Sequence, residues 1–395
     1  METIFLKKGE DRRLRAGHLW IFSNEIDVKR SPLPAFAPGQ PVRVAGSDGR
    51  PLGTGYVNPA SLIAVRLVSR REDEPLDAAL LRRRLSEALT LRERLFERPF
   101  YRLCHGEGDF LPGLVVDRHG DHVVCQVTTA GMEAQTEALI EVLDELLHPG
   151  SLLLDNDTAS RALEGLERFQ KDALGTAPEE ITVEENGVSY AAPLRSGQKT
   201  GWFYDQRMNR AALSASLRGM PGCSVLDAFC YAGGFGALAA RRGAGQVCFL
   251  DASSQALDYA RRNAEGTGAA IETLQGDALA RLAELRAQGR RFDAVCLDPP
   301  AFIKRKKDAR QGLEAYRRVN ELGFDLVKPG GLLMTCSCSH HLEADALRAA
   351  VTRAAAKRCR PARLLYQGFQ GPDHPIHPAM PETAYLKAFL FQLPA

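Results

Sequence analysis

Hydrophobic and polar positions along this chain keep two rhythms. From about residue 224 onward, short apolar runs end in a carboxylate and alternate with stretches of helical spacing, the pattern of buried parallel strands joined by crossover helices. Val225 and Leu226 lead to Asp227, a small-residue turn runs from Ala232 to Gly236, and an Ala-rich helix carries the chain to a second apolar run closed by Asp251. This is a β-turn-α-β unit. The same alternation predicts a helix over 254–265, a strand over 271–275 ending near Asp277, a helix to Gln288, a strand from Phe292 to Asp298 and another over 331–335. A helix over 342–357, a strand near 364–366 and a last strand over 385–392, able to pair antiparallel at the sheet edge, complete seven strands.

Upstream the runs are shorter and broken by Pro, Gly and Asp-Gly signals. Residues 1–72 read as a small β-rich module, with extended runs at 41–44, 52–57 and 62–68. Residues 73–192 read as a connecting helix, its Leu80, Leu81, Leu85, Leu89 and Leu95 at near-helical spacing, followed by a compact strand-strand-helix-strand-strand module. Residues 193–395 form the α/β domain. They open on Ser196-Gly-Gln-Lys-Thr-Gly-Trp-Phe-Tyr-Asp-Gln-Arg207, where polar and aromatic types crowd together.

In an open α/β sheet the ligand lies outside the carboxyl ends of the strands, so Asp227, the glycine turn and Asp251 face one crevice. A carboxylate closing the second strand suits a ribose diol. Gly233, Gly234 and Gly236 lack the G-x-G-x-x-G spacing that seats a pyrophosphate, and no G-x-x-x-x-G-K-[ST] serves a triphosphate. That disfavours a nicotinamide dinucleotide or ATP. A nucleoside with little or no phosphate remains, and S-adenosylmethionine is the common one. A terminal hairpin on a seven-stranded sheet points the same way, toward a class I methyltransferase, Rossmann-like sheet.

Candidate cofactor contacts are Gln198, Lys199, Thr200, Tyr204, Asp205 and Arg207 from the polar-aromatic stretch, with Asp227, Phe229, Gly233, Asp251, Asp277 and Asp298 from the strand ends. There, aromatic planes can sandwich an adenine while Lys199, Asp205 and Arg207 fix an amino-acid head group. Asp277 is also placed to act as an ordinary helix N-cap. Asp298, followed by Pro299 and Pro300, makes a stiff lip pointing at whatever is modified. The run Cys336-Ser-Cys-Ser-His-His341 lacks the C-x₂₋₄-C pairing of a zinc site, so no metal is expected; a thiol at a strand's carboxyl end is better placed as a nucleophile.

Composition narrows the partners. With 45% hydrophobic and 25% charged residues the 395-residue chain can bury full cores in two or three domains. A net charge of +2 means that any nucleic-acid surface is local. Lys7, Lys8, Arg12 and Arg13, interleaved with Trp20, form one candidate RNA surface; Lys304, Arg305, Lys306 and Lys307 beside the proline lip form another. For the first, a solvated basic face with Trp20 in the core is equally open, and His18 reads as structural. Nine scattered cysteines fit buried thiols in a reducing cytosol, and neither a secretory leader nor an apolar run long enough to span a membrane is apparent, so a cytoplasmic protein is expected.

With those residues in view, the chain resembles the RlmI family of bacterial 23S ribosomal RNA (cytosine-5-)-methyltransferases. Gly17-His18-Leu19-Trp20 resembles the opening of its PUA-like RNA-binding domain, and Glu107-Gly108-Asp109, Leu111-Pro112-Gly113-Leu114 and Asp117-Arg118 resemble its middle domain. Gln198-Lys199-Thr200-Gly201 with Asp205-Gln206-Arg207, Asp298-Pro299-Pro300, Ser337-Cys338-Ser339 and Asp373-His374-Pro375 resemble its methyltransferase signatures. Ala301 and the segment Arg161-Ala162-Leu163-Glu164 depart from it. The resemblance implies S-adenosylmethionine as cofactor, large-subunit ribosomal RNA as partner, no membrane, a homodimer as one assembly state, and Cys338 as the catalytic thiolate with Cys336 its neighbour. Asp298 would hydrogen-bond the cytosine edge. A guanine N-methyltransferase on the same fold, which needs no thiol, and a noncatalytic RNA-binding assembly factor are the alternatives.

Overall fold

The computed structural model describes residues 1–197 and 200–395, in two compact units. The first comprises 1–179, 194–202 and 372–383; the second comprises 180–193, 203–371 and 384–395. No helix among the described residues is long and apolar enough to cross a membrane.

The second unit is built on a seven-stranded sheet of β1 (Ser224–Ala228), β2 (Gln246–Asp251), β3 (Ala270–Gln275), β4 (Phe292–Leu297), β5 (Val327–Ser337), β6 (Arg363–Gly368) and β7 (Lys387–Gln392). Their spatial order is β3-β2-β1-β4-β5-β7-β6. The first five run parallel, and β7 enters antiparallel between β5 and β6. This is the class I methyltransferase sheet expected from the chain's rhythm. Central strands are apolar because helices cover both faces; Leu226, Val295, Leu297, Leu333 and Phe389 are almost wholly buried with residues of the flanking helices.

Three features differ from expectation. An 18-residue helix, Ala309–Leu326, follows the cationic loop, and β5 begins at Val327, earlier than its apolar run suggested. The hairpin Glu180–Glu185 and Val188–Pro193, expected to close the middle module at residue 192, belongs instead to the second unit. Asn263 explains why. Its side chain accepts from Ala191 N (2.7 Å) and donates to Ala191 O and Ala232 O (both 2.9 Å), tying the hairpin to the glycine turn.

The first unit holds two five-stranded sheets. One, ordered Glu2–Phe5, Gln40–Ala45, Pro51–Val57, Val65–Ser69, Trp20–Ile21, encloses Ile4, Leu6, Val42, Val44 and Leu67. The other, ordered Gln170–Leu174, Ser151–Asp155, His122–Val127, Leu114–His119, Phe100–His105, packs against the helices Ala78–Leu95 and Thr136–Leu147. Arg92, fully buried, reaches both oxygens of Asp109 (2.6 and 2.7 Å) and the carbonyl of Asp373 (2.9 Å), and Asp373 accepts from Arg102 N (3.1 Å). Segment 372–383 is thereby sewn into this unit.

Candidate active site

Strand register brings the predicted carboxylates to one level. Ala228 pairs with Leu250 on β2 and Leu297 on β4, so Asp251 and Asp298 each begin the residue beyond that line, while Asp227 lies one residue before it. The chains leave together: Phe229 N donates to Leu250 O (2.8 Å) and Asp298 N to Ala228 O (3.3 Å). Asp227 is 1% exposed. One of its oxygens accepts from Gly236 N at 2.8 Å, and the other, Oδ1, is buried with no hydrogen-bond partner. Burial, reinforced by the charges of Asp298 and Asp251 and opposed by the Gly236 bond, pushes the Asp227 carboxyl up to about 8. A buried acid with an open oxygen fits a cationic ligand, and S-adenosylmethionine carries a sulfonium and an ammonium.

The turn above β1 is bent to expose backbone. Phe229, Tyr231 and Gly233 all have positive φ (61°, 49° and 77°), which costs the two side-chain-bearing residues conformational strain. A Cβ on Gly233 would lie 2.7 Å from Ala260 Cβ and 2.9 Å from the Phe249 ring, so only glycine lets the turn seat on the next helix. Asp251 accepts one hydrogen bond per oxygen, from Tyr231 N of this turn (3.0 Å) and from Ser253 N just past β2 (2.9 Å), and stays partly exposed, leaving lone pairs for a diol. Asp277 is exposed and caps the helix Ala278–Ala287 through Ala280 N at 2.9 Å, its ordinary alternative.

Past β5 the two serines around Cys338 are fully buried and clamped. Ser337 Oγ donates to the Tyr316 hydroxyl (2.7 Å), which meets Ser339 Oγ at 2.9 Å; Ser339 Oγ also accepts from Ile303 N (3.2 Å). Cys338 itself is half-buried. Cys336 is fully buried, and burial raises its thiol well above the ordinary range, so it stays protonated. Asp298 lies level with Cys336, because Leu297 pairs with Thr335.

The polar-aromatic stretch divides between the units. Thr200, expected at the cofactor, is 1% exposed in the first unit, with its hydroxyl on Asp117 and its carbonyl 3.0 Å from His119 Nε2; it is a tether there, because a buried carboxylate already held by Arg102 claims the hydroxyl. Gln198 and Lys199 lie outside the described residues. In the second unit Asp205 is buried and accepts from the Tyr385 hydroxyl (2.6 Å), Tyr204 is buried under the Arg207 guanidinium (5.2 Å), and Arg207 lies 3.7 Å from Glu185. Glu185 also accepts from Nε and Nη2 of Arg210 (2.6 and 2.8 Å), a carboxylate partner that the sequence placed in a separate module.

Of the basic residues, Lys304, Arg305, Lys306 and Lys307 are exposed, Arg305 against Asp308 (3.1 Å). Lys7, Lys8 and Arg12 are exposed as well, Lys7 donating to Asn24 O. Arg13 is held by Glu25 at 2.6 Å and lies beside His18. Trp20, partly buried, packs against the first sheet's core with its indole N–H on Glu107 (2.8 Å), and His18 is buried beside it. Sequence reasoning missed Tyr316, Asn263, Tyr385 and Lys387, whose positions depend on pairing between distant elements.

A family model described as S-adenosylmethionine-dependent methyltransferase matches residues 136–392, and one described as a PUA-like domain matches residues 4–70. The ribosomal RNA large subunit methyltransferase I of Aeromonas salmonicida is 38% identical, with 98% of each chain covered. Its namesake in Photobacterium profundum is 36% identical over 98% of each. Among solved structures, SMU.776, a candidate methyltransferase complexed with SAH, superposes with a TM-score of 0.83 over 99% of this chain and 100% of its own at 19% identity, a likeness of fold.

Proposed function

The chain belongs to the S-adenosylmethionine-dependent methyltransferases, in the family named ribosomal RNA large subunit methyltransferase I, and from that membership we propose that it methylates carbon 5 of a cytosine in 23S ribosomal RNA through a covalent bond to Cys338. One observation carries the reading. Cys338 is the half-buried thiol of its run, held between two clamped serines at the carboxyl end of β5, while Cys336 two residues earlier is sealed in the core.

Carbon 5 of cytosine is a poor nucleophile. When the Cys338 sulfur bonds to carbon 6, the ring's 5,6 double bond gives its electron pair to carbon 5, which becomes able to form a bond to carbon. S-adenosylmethionine, when bound, supplies the sulfonium methyl for that bond. Removal of the carbon-5 proton by a base then returns electrons to the ring and expels the sulfur. Asp227, Phe229, Gly233 and Asp251 would hold the cofactor, with Asp277 at its base; Asp298 would hydrogen-bond the cytosine edge and stabilise charge arising on the ring. The target must leave its stack to enter, which costs a few kcal/mol in paired RNA and favours an unpaired site.

Lys304, Lys306 and Lys307 supply cations beside this lip for phosphates, and a PUA-like match over 4–70 supports residues 1–72 as an RNA-binding module ahead of a connecting α+β module. Ribosomal RNA as substrate supports a cytoplasmic site of action. A homodimer is supported by β6, an edge strand of the sheet carrying exposed Leu364 and Leu365.

The test is mass spectrometry of nucleosides from RNA treated with Cys338→Ala. Loss of 5-methylcytosine with unchanged cofactor affinity is expected; retained 5-methylcytosine overturns the covalent route, and a methylated guanine in the wild-type product replaces this reading by the guanine alternative.

A further inference from the structure

Lys387 begins β7 directly opposite Ser337 of β5, one residue before the half-buried thiol. It is 8% exposed. An ammonium withdrawn from water persists where acceptors or an anion replace the solvent. Its Nζ donates to the carbonyl of Ser339 (2.8 Å) and to that of Tyr385 (3.0 Å). Both acceptors are neutral and Nζ carries three hydrogens, so a full charge is left uncompensated by them. The gripped carbonyl belongs to the residue after Cys338, which anchors that charge to the turn presenting the thiol.

We propose that Lys387 is a positioning residue whose ammonium holds Cys338 as the thiolate, the thiol proton leaving to solvent. The inference deepens the reading of Cys338 as nucleophile and rests on it for its purpose. Burial lowers the pKa of Lys387, and negative charge on Glu343 and on Cys338 acts back to raise it; by reciprocity the same attraction lowers the thiol. The other titratable groups near the thiol are a phenol, a second thiol, two acids and a histidine. Tyr316, on the helix behind β5, is kept neutral by burial, and so is Cys336. Asp298 at the end of β4 and Glu343 at the start of the next helix are acids, and the His340 ring stacks on Tyr385 (5.2 Å). Carboxylates alone would push a thiol up. A lysine ammonium beside it pulls the other way.

The decisive measurement is the pH dependence of Cys338 alkylation by iodoacetamide in the intact protein, read peptide by peptide, with the exposed Cys359 as reference in the same digest. A midpoint below the ordinary thiol value of about 8.5 is expected. In Lys387→Met the midpoint rises and alkylation at neutral pH slows about tenfold for each unit of rise, while Lys387→Arg keeps the low midpoint. The kcat of Lys387→Met falls at neutral pH and recovers in alkali, with KM for S-adenosylmethionine unchanged. A wild-type midpoint at or above that of Cys359 overturns the proposal, even should Lys387→Met fail to fold, and so does an unshifted midpoint in a folded Lys387→Met. These outcomes separate from the nucleophile test: an ordinary thiol with an inactive Cys338→Ala rejects Lys387 alone, whereas an active Cys338→Ala removes the nucleophile and leaves the thiolate to stand.

Discussion

A cationic ligand seated against Asp227 would couple its binding to protons. With the Asp227 carboxyl raised from 3.8 to about 8, the folded chain holds a proton there that the unfolded chain gives up. The contribution to stability is therefore fully present below about pH 4 and is lost as pH rises through about 8. A cationic ligand against Oδ1 favours the carboxylate, so S-adenosylmethionine binding at pH 7 should release a proton, which calorimetry in buffers of different ionisation enthalpy reads directly. Asp227→Asn should abolish the release and weaken binding; undiminished release in the variant would exclude Asp227 as its source. The placing of this residue with Asp251 and Asp298 was legible in the sequence because each closes an apolar run, and a parallel sheet sends the ends of such runs to one side; Cys338 was told from Cys336 only by the family resemblance. Lys387 was not legible. It opens Lys-Ala-Phe-Leu-Phe-Gln, which reads as an edge strand with polar ends, and its burial follows only from its place between β5 and β6.

Among the elements, the helix Ala309–Leu326 supplies the hydroxyl that bridges Ser337 and Ser339, although the cationic loop before it is what stands out in the sequence. Its apolar positions, among them Tyr316, Val319 and Phe324, pack on the sheet, and Tyr316 reaches the strand end with its hydroxyl. Tyr316→Phe keeps the ring and removes the clamp on Ser337 and Ser339, leaving buried hydroxyls short of a partner; a loss of about 1–3 kcal/mol in urea unfolding is expected, with a lower kcat and unchanged cofactor affinity. Gly233→Ala should also destabilise by about 1–3 kcal/mol, since the methyl group meets Ala260 and Phe249 in a left-handed backbone. A stability equal to wild type in either variant would contradict the packing described. The βα alternation itself was plain from periodicity. The hairpin's membership was not, because Asn263, which captures it, lies 72 residues downstream of Ala191.

For the whole molecule, a net charge of +2 leaves RNA affinity to local clusters. Replacing Lys304, Lys306 and Lys307 together by Ala should weaken binding and flatten its salt dependence, by about 0.7 in the log-log slope for each phosphate of single-stranded RNA that is no longer neutralised. An unchanged slope would move the RNA surface elsewhere, with Lys7, Lys8 and Arg12 the next to test. The cores of both units were foreseeable from composition and patterning, whereas the division of the chain between them was not.

That division has a consequence for synthesis. The first unit takes Asp373 into its interior, against Arg92 and Arg102, yet that aspartate is made 271 residues after Arg102. The amino-terminal half must wait, incompletely assembled, for a late-arriving stitch. Released chains that end before residue 372 should therefore show higher protease sensitivity within residues 1–179 than chains that include 372–383, and equal sensitivity would show that the first unit closes without this segment.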